Sequence, residues 1–270
     1  MRKTWFLCIG ALLMMAACGS KEEQRTAQID GITFDSIVID STATLSSEAN
    51  APRCHIRLSL QYAKGENAGK LNNALARAEI LTPDYFSIGT EKLSIHEMAD
   101  SFVRRYMAEY IEDYGQLYRQ DREHASSYNN DYVVSTRTRE GADGILNYIA
   151  DINFFGGGEH PIRQTLVKNF RIKDGKELRL TDLFVPGYEK RLTDLIVEEL
   201  CDQRDADDMQ ELQQQGIFID GRTYVPDNFI INNGDITFIY CEDEIARHDI
   251  GEIRVRIKNS KLKDIMQPWN

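Results

Sequence analysis

The residues best placed to do chemistry stand together in one short stretch, INFFGGGEHPIRQ, at positions 152–164. Three consecutive glycines are followed there by Glu159 and His160, which could act as an acid–base pair or as metal ligands. Adjacent residues on an extended chain point to opposite sides, so these two side chains would not easily share one ion. The glycines allow a tight turn and close backbone packing. We therefore favour a structural turn, in which His160 makes a hydrogen bond, over a ligand-binding loop or a catalytic loop.

Three other groups of polar residues could bind metal or catalyse a reaction, and each has a simpler explanation. His96 and Asp100 lie four residues apart, as in a helical zinc motif, but no third ligand is indicated. His248 has no serine or cysteine in the setting of a nucleophile elbow. The acidic runs at 205–208 and 242–244 lack the glycine and terminal glutamate of an EF-hand loop. We expect no catalytic residue, no metal ligand and no cofactor.

The first residues are built like a bacterial export signal that ends at a cysteine. Arg2 and Lys3 precede an apolar run at 5–15, which is too short for a transmembrane helix. The sequence Met-Ala-Ala-Cys that ends at Cys18 resembles the lipobox of bacterial lipoproteins. That resemblance implies a signal peptide at 1–17 and a diacylglycerol group linked to Cys18. The protein would then meet the membrane through its N-terminal lipid anchor.

The next residues, 18–30, are polar and predict a flexible lipidated tether. Within them, Lys21-Glu22-Glu23 resembles a short signal that sends some Gram-negative lipoproteins to the outer face of the outer membrane. A linker that lies in water is often rich in charged residues, so these three residues do not by themselves identify a sorting signal. We expect an outer membrane lipoprotein, and both the cell surface and the periplasmic face remain open.

The whole chain is acidic, with a formal net charge of −11 over 270 residues. Removal of residues 1–17 takes away two basic residues and no acid, which leaves −13. Such a charge repels nucleic acid and attracts basic partners. With 42% hydrophobic residues and no second long apolar run, the rest of the chain should form a globular body. Its remaining cysteines, Cys54, Cys201 and Cys241, allow either one disulfide and one buried thiol or three buried thiols.

Hydrophobic periodicity places strands and helices in the first half of the chain. Alternating apolar residues predict strands over 32–40 and 54–60. Apolar residues at intervals of three and four predict a helix over 68–81 and a longer helix that begins after Ser94. Ser94 and Glu97 fit a capping box, in which each side chain satisfies a backbone donor of the other residue.

The pattern of the second half predicts β-hairpins on either side of a helix. Asp174-Gly175 and Asn233-Gly234 separate pairs of apolar runs and predict tight hairpin turns. A helical pattern at 188–203 lies between these hairpins. The predicted fold class is α+β, with an antiparallel β-sheet on which helices pack, built from β-hairpins around a central helix. Composition shifts little between the halves, so we expect them to share a sheet or to pack tightly.

The order of features in the second half resembles a known domain family. The stretch Phe155 to His160 is similar to an aromatic residue followed by Gly-Gly-Ala-His, although this chain has an extra residue there. The family also shows an Asp-Gly turn with a Leu-Asp-Leu-Phe sequel, and an aromatic strand before Glu-Ile-Ala and Gly. These blocks resemble the C-terminal domain of unknown function shared by the anti-sigma factor RsiV and the peptidoglycan deacetylase PdaC. The other matching residues are Asp174, Gly175, Thr181, Asp182, Leu183, Phe184, Phe238, Tyr240, Glu244, Ile245, Ala246 and Gly251.

The resemblance implies a domain organisation and a class of function. Residues 145–270 would form the RsiV- and PdaC-like domain, preceded by an N-terminal α+β region at 31–144. In RsiV this domain binds lysozyme, and in PdaC the deacetylase chemistry belongs to a separate domain. We therefore expect a lipid-anchored envelope lipoprotein that is not an enzyme and acts as a binding module for lysozyme-like cationic proteins or peptidoglycan. The expected ligand-binding residues are Phe155, Gly156, Gly157, Gly158, Glu159 and His160.

Two other classes of function stay open at this point. An envelope hydrolase that acts on peptidoglycan or other glycans would need His160 together with Glu159. A structural lipoprotein would bind no small ligand. Loss of turnover with a retained fold in a His160→Ala variant would favour the hydrolase.

Overall fold

The computed structural model describes residues 31–65, 68–83 and 93–268. The predicted signal peptide, Cys18 and the tether at 18–30 lie outside the described residues. The described ranges contain two β-sheets and five α-helices, which confirms the α+β class. None of the helices in these ranges combines the length and the apolar character needed to cross a membrane.

The larger sheet has six strands, which neighbour one another in sequence order. They are β1 Thr33–Thr44, β2 Arg53–Lys64, β3 Asn130–Glu140, β4 Ile145–Phe155, β5 Ile162–Arg171 and β6 Lys176–Leu178. All neighbours pair antiparallel except β2 and β3, which are parallel. A parallel pair requires a long crossover, and the helices between β2 and β3 provide it. The expectation of an antiparallel sheet therefore holds for every pair but this one.

Two helices, α1 Ala68–Leu75 and α2 Ile95–Gln120, share a hydrophobic core with β1 to β5. The capping box at the start of α2 is confirmed. The Glu97 N–H donates to Ser94 Oγ (3.3 Å), and the Ser94 N–H donates to Glu97 Oε2 (2.8 Å). α1 ends earlier than predicted, and Glu79 beyond it has a φ of 54°, which a right-handed helix does not accommodate.

The smaller sheet is an antiparallel three-stranded meander that holds the second core. Its strands are β7 Phe229–Ile231, β8 Asp235–Tyr240 and β9 Ile253–Lys258. The helices that share its core are α3 Leu180–Leu183, α4 Glu189–Arg204 and α5 Met209–Gln214. The predicted turn at Asn233-Gly234 joins β7 to β8, with a φ of 102° at Gly234. The Asp174-Gly175 turn likewise joins β5 to β6.

The two sheets pack against each other through β4 and β5. Ile149 and Val167, on these strands, form a small buried cluster with Ile230 and Ile239 of the smaller sheet. The predicted division at 144/145 falls in the turn between β3 and β4, which are hydrogen-bonded neighbours. The two halves thus share a sheet, as expected, while their division into domains stays a prediction.

Candidate ligand-binding site

A cleft of about 400 Å³ opens between α2 and the strands β3, β4 and β5. Five aromatic side chains line it: Tyr106, Tyr110, Tyr114, Tyr132 and Phe154. The first three are spaced four residues apart on α2, so they share one face of the helix. Tyr106 stacks on Tyr132 with ring centroids 5.4 Å apart, and Tyr132 meets Phe154 edge-on at 6.3 Å. The apolar residues at helical spacing that predict α2 thus also contribute to a wall of the cleft.

Neighbouring groups hold three of the tyrosine hydroxyls in place. Tyr106 donates to Asn130 Oδ1 (3.2 Å), and Tyr110 donates to the carbonyl oxygen of Tyr128 (2.9 Å). The Tyr132 hydroxyl accepts a backbone N–H at 2.9 Å. Burial raises the pKa of Tyr106 to about 12 and also raises the pKa values of Tyr110 and Tyr132. These three tyrosines therefore give the wall fixed, uncharged side chains at neutral pH, with apolar faces and polar tips.

Two carboxylates, Glu109 and Asp113, border the cleft one helical turn apart. Both residues are exposed, and an ionised carboxylate can only accept hydrogen bonds. Asp113 makes no hydrogen bond or ion pair with any residue in the described ranges. The amides of Asn130 and Gln164 also line the cleft. Flat apolar rings with a few polar groups are the usual lining of a small-molecule site.

The glycine loop joins β4 to β5 beside this cleft. Gly157 has a φ of +79°, and a Cβ there would lie 2.0 Å from the carbonyl oxygen of Ser127. A Cβ on Gly156 would lie 2.8 Å from the Phe154 ring, whereas Gly158 faces open space. A side chain at Gly156 or Gly157 would therefore clash with its surroundings, whereas a side chain at Gly158 would not.

The other residues of the predicted ligand loop differ in burial. Phe155 is half-buried, whereas Glu159 and His160 are exposed. His160 contacts the carbonyl oxygen of Pro161 at 3.4 Å, which is too long for a strong hydrogen bond. None of the residues from Phe155 to His160 is among those described as lining the cleft. A role for these residues in ligand binding stays a prediction.

His160 stacks on His248, with ring centroids 3.9 Å apart and an angle of 29° between the rings. His248 Nδ1 lies 2.8 Å from Glu242 Oε1 and 3.1 Å from Asp243 Oδ2. One ligand atom each of His160, Asp243 and His248 lies within 4.8 Å of the others. Across the described part of the chain, no other three His, Cys, Asp or Glu residues are grouped this closely.

Sequence reasoning missed this group, which we call the His–Asp–His cluster. It finds no nucleophile partner for His248 and notes only that the acidic run at 242–244 lacks the residues of an EF-hand loop. His160 and the acidic run do fall in two blocks that carry the family resemblance, which was the only signal for their proximity. Packing of the smaller sheet on β4 and β5 brings these blocks together.

The remaining sequence candidates have structural roles. His96 meets Tyr62 edge-on at 4.9 Å, and it joins no group of metal ligands among the residues described. Glu97 serves the capping box. In the acidic run at 205–208, Asp208 caps α5 by accepting the Glu211 N–H at 3.0 Å.

The cysteines fit the three-thiol alternative except that Cys201 is only half-buried. Cys54, Cys201 and Cys241 are unpaired, and Cys54 and Cys241 are buried. Burial raises the pKa of Cys54 to about 12 and that of Cys241 to about 11. Because the thiolate is the nucleophile, these two buried thiols are poorly suited to covalent catalysis.

One protein-family model matches a segment in the second half of the chain. A protein-family model described as "Protein of unknown function (DUF3298)" matches residues 181–260. The chain thus contains a DUF3298 domain, which lies inside the predicted C-terminal region and spans the smaller sheet. No curated protein matches the chain.

Two solved structures of DUF3298 family members share the fold over nearly the whole chain. The protein from Bacteroides fragilis NCTC 9343 is 22% identical, with a TM-score of 0.77 over 88% of this chain and 94% of that one. The protein from Pseudomonas aeruginosa PAO1 is 16% identical, with a TM-score of 0.61 over 90% of this chain and 97% of that one. At these identities the similarity establishes the fold alone.

Proposed function

We propose that this protein is a lipid-anchored lipoprotein of the cell envelope whose aromatic cleft binds the glycan strand of peptidoglycan without catalysis. The observation that carries the proposal is the pairing of five aromatic rings with two carboxylates in one cleft of about 400 Å³. A filled core would bury such rings against apolar neighbours. Here, Tyr106, Tyr114 and Phe154 remain only half-buried.

The chemistry of the cleft suits neutral, N-acetylated sugars. A sugar ring presents an apolar C–H face, which packs on an aromatic ring, and hydroxyl groups at its edge. Asp113 would accept hydrogen bonds from those hydroxyls, and the Gln164 amide can donate as well as accept. The Glu109 and Asp113 carboxylates would repel an anionic ligand at the same place.

The predicted anchor is consistent with a cell-wall ligand. A tether over residues 18–30 reaches at most about 45 Å from the membrane when fully extended. The acidic charge disfavours nucleic acid and anionic lipid surfaces as ligands. The resemblance to RsiV and PdaC also points to the envelope.

A titration of the purified protein with the tetramer of N-acetylglucosamine tests the proposal. We expect saturable binding at physiological salt that changes little with ionic strength, because the ligand is neutral. Asp113→Asn should weaken binding about fivefold or more, since a hydrogen bond to a charged group contributes about 1 kcal/mol more than one to a neutral group. Asp100→Asn is the matched control on α2, because Asp100 is exposed and lies outside the cleft.

Lysozyme serves as the second ligand in the same titration. Lysozyme could instead bind at physiological salt, with no effect of Asp113→Asn, while the sugar does not bind. That result would indicate a protein partner in place of the glycan. Attraction by net charge alone should fade as salt screens it. Failure of the tetramer and of solubilised peptidoglycan to bind would refute the glycan proposal.

The two cleft carboxylates also favour one alternative, a hydrolase acting on peptidoglycan or other glycans. Glycoside hydrolysis commonly uses a pair of carboxylic acids, and Glu109 and Asp113 both border the cleft. Release of reducing ends from peptidoglycan by the parent, lost in Glu109→Gln while sugar binding persists, would establish this alternative. Absence of turnover with intact binding supports the non-catalytic module.

A further inference from the structure

We propose that the His–Asp–His cluster of His160, Asp243 and His248 is a binding site for a divalent transition metal ion, with Zn²⁺ the best match. The site lies at the end of the β4–β5 hairpin and uses none of the residues that line the aromatic cleft. It therefore stands independently of the glycan proposal.

The donor set selects the type of ion. Two imidazole nitrogens and one carboxylate oxygen are ligands that Zn²⁺ accepts in a tetrahedral site. Ca²⁺ and Mg²⁺ prefer oxygen ligands throughout, so the two histidines disfavour them. Three protein ligands leave a fourth position for water or a further ligand.

The present distances are close to those that metal binding requires. Zn–N bonds of about 2.0–2.1 Å and Zn–O bonds of about 2.0–2.2 Å place tetrahedral ligand atoms about 3.3–3.5 Å apart. The three ligand atoms here already lie within 4.8 Å of one another. All three residues are exposed, so their side chains have room to turn, and the stacked rings would separate to point lone pairs at the ion.

A neighbouring carboxylate is placed to orient His248. Glu242 Oε1 lies 2.8 Å from His248 Nδ1, and the Glu242 side chain is only 10% exposed. A carboxylate on one ring nitrogen fixes the tautomer and leaves the other nitrogen available to the metal. Glu242 would thus be a positioning residue. Asp243 Oδ2 lies 3.1 Å from the same nitrogen and would turn from it toward the ion when the metal binds.

Backbone geometry holds the two segments in place without a metal. Asp243 has a φ of 64°, a conformation that few residue types adopt readily but that aspartate tolerates. The loop of His160 is fixed at Gly157, which packs on the Ser127 carbonyl. A bound ion would join a loop of the larger sheet to the segment between β8 and β9.

Calorimetric titration of the chelator-treated protein with ZnCl₂ tests the site, and CoCl₂ reports its geometry through visible absorption. We expect one Zn²⁺ per chain and a tetrahedral Co²⁺ spectrum. His160→Ala, Asp243→Asn and His248→Ala should each weaken binding at least about tenfold. His96→Ala is the matched control, because His96 is exposed and outside the cluster.

Circular dichroism of the metal-free variants should match the parent, since all three side chains are exposed. A Glu242→Gln variant should bind Zn²⁺ more weakly while its metal-free fold is retained. The proposal is overturned if no stoichiometric Zn²⁺ binding occurs, or if binding survives in all three cluster variants. Equal weakening in His96→Ala would also overturn it.

Discussion

At the residue scale, the glycine loop contains residues that the backbone conformation requires and residues that it does not require. The sequence shows three equivalent glycines, but their surroundings differ. Gly157 needs its positive φ and its missing side chain, whereas Gly158 meets nothing within 4 Å. The turn interpretation therefore accounts for the glycines, and His160 lies beyond them, where it stacks on His248.

Gly157→Ala should lower the free energy of unfolding by about 1–3 kcal/mol, the cost of holding a non-glycine residue in a strained conformation. Contact with the Ser127 carbonyl adds to that strain. Gly158→Ala, one residue away in open space, should change it by no more than about 0.5 kcal/mol. Urea unfolding followed by circular dichroism measures both. Similar stabilities for the two variants would contradict the assigned roles.

At the element scale, strand register brings charged residues together across the larger sheet. His55 on β2 lies between two neighbours: its Nδ1 is 2.8 Å from Asp131 Oδ1 on β3, and its Nε2 is 3.1 Å from Asp40 Oδ1 on β1. A protonated imidazole can donate to both carboxylates, whereas a neutral one can donate to only one. The hydrogen bond with Asp131 is the main cause that raises the pKa of His55 above its usual 6.5.

This raised pKa makes the contribution of His55 to stability depend on pH. Because the pKa is higher in the folded state, the stabilisation is fully present below the unfolded value of 6.5 and is lost as pH rises through the folded value. We expect the stability gap between the parent and His55→Ala to be larger at pH 5.5 than at pH 8.5. Urea unfolding at both pH values measures the gap.

His96→Ala provides the control for the His55 experiment. His96 forms no ion pair within the described ranges, so its replacement should not reproduce the pH-dependent gap. An equal gap at both pH values for His55→Ala would mean that the two carboxylates do not stabilise the protonated ring.

At the scale of the whole molecule, buried asparagines join the two sheets. Asn147 on β4 donates from Nδ2 to the Ile231 carbonyl (3.1 Å) and accepts the Ile231 N–H at Oδ1 (3.3 Å). Asn169 on β5 donates to the Phe229 carbonyl at 2.9 Å. Because β7 is an edge strand, these side chains satisfy backbone groups that its sheet leaves unpaired.

Asn147→Ala should lower the free energy of unfolding by about 2–3 kcal/mol, because buried backbone groups of Ile231 would lose a partner. Asn153→Ala is the control on the same strand. Asn153 is exposed, so its replacement should change stability by no more than about 0.5 kcal/mol. Thermal and urea unfolding measure both variants, and a small effect of Asn147→Ala would show that packing alone joins the sheets.

Local patterns predicted most of the elements because those patterns act over a few residues. The capping box at Ser94, the hairpin at Asn233-Gly234 and the helix near 188–203 each depend on neighbours in sequence. The parallel pairing of β2 with β3 was not predictable in this way. It depends on how α2 crosses the sheet, which no short stretch encodes.

The sequence by itself determined the fold class, the acidic character and the expectation of a lipid anchor at Cys18, since each rests on composition or on a short motif. Only the tertiary structure decided that tyrosines from α2 meet Phe154 around a cleft and that His160 meets His248. Both sites combine segments that are distant along the chain. Their geometry is set by the packing of two sheets and a helix. Contacts between such distant segments produce no regular spacing of residues in the sequence, so no sequence pattern reveals them.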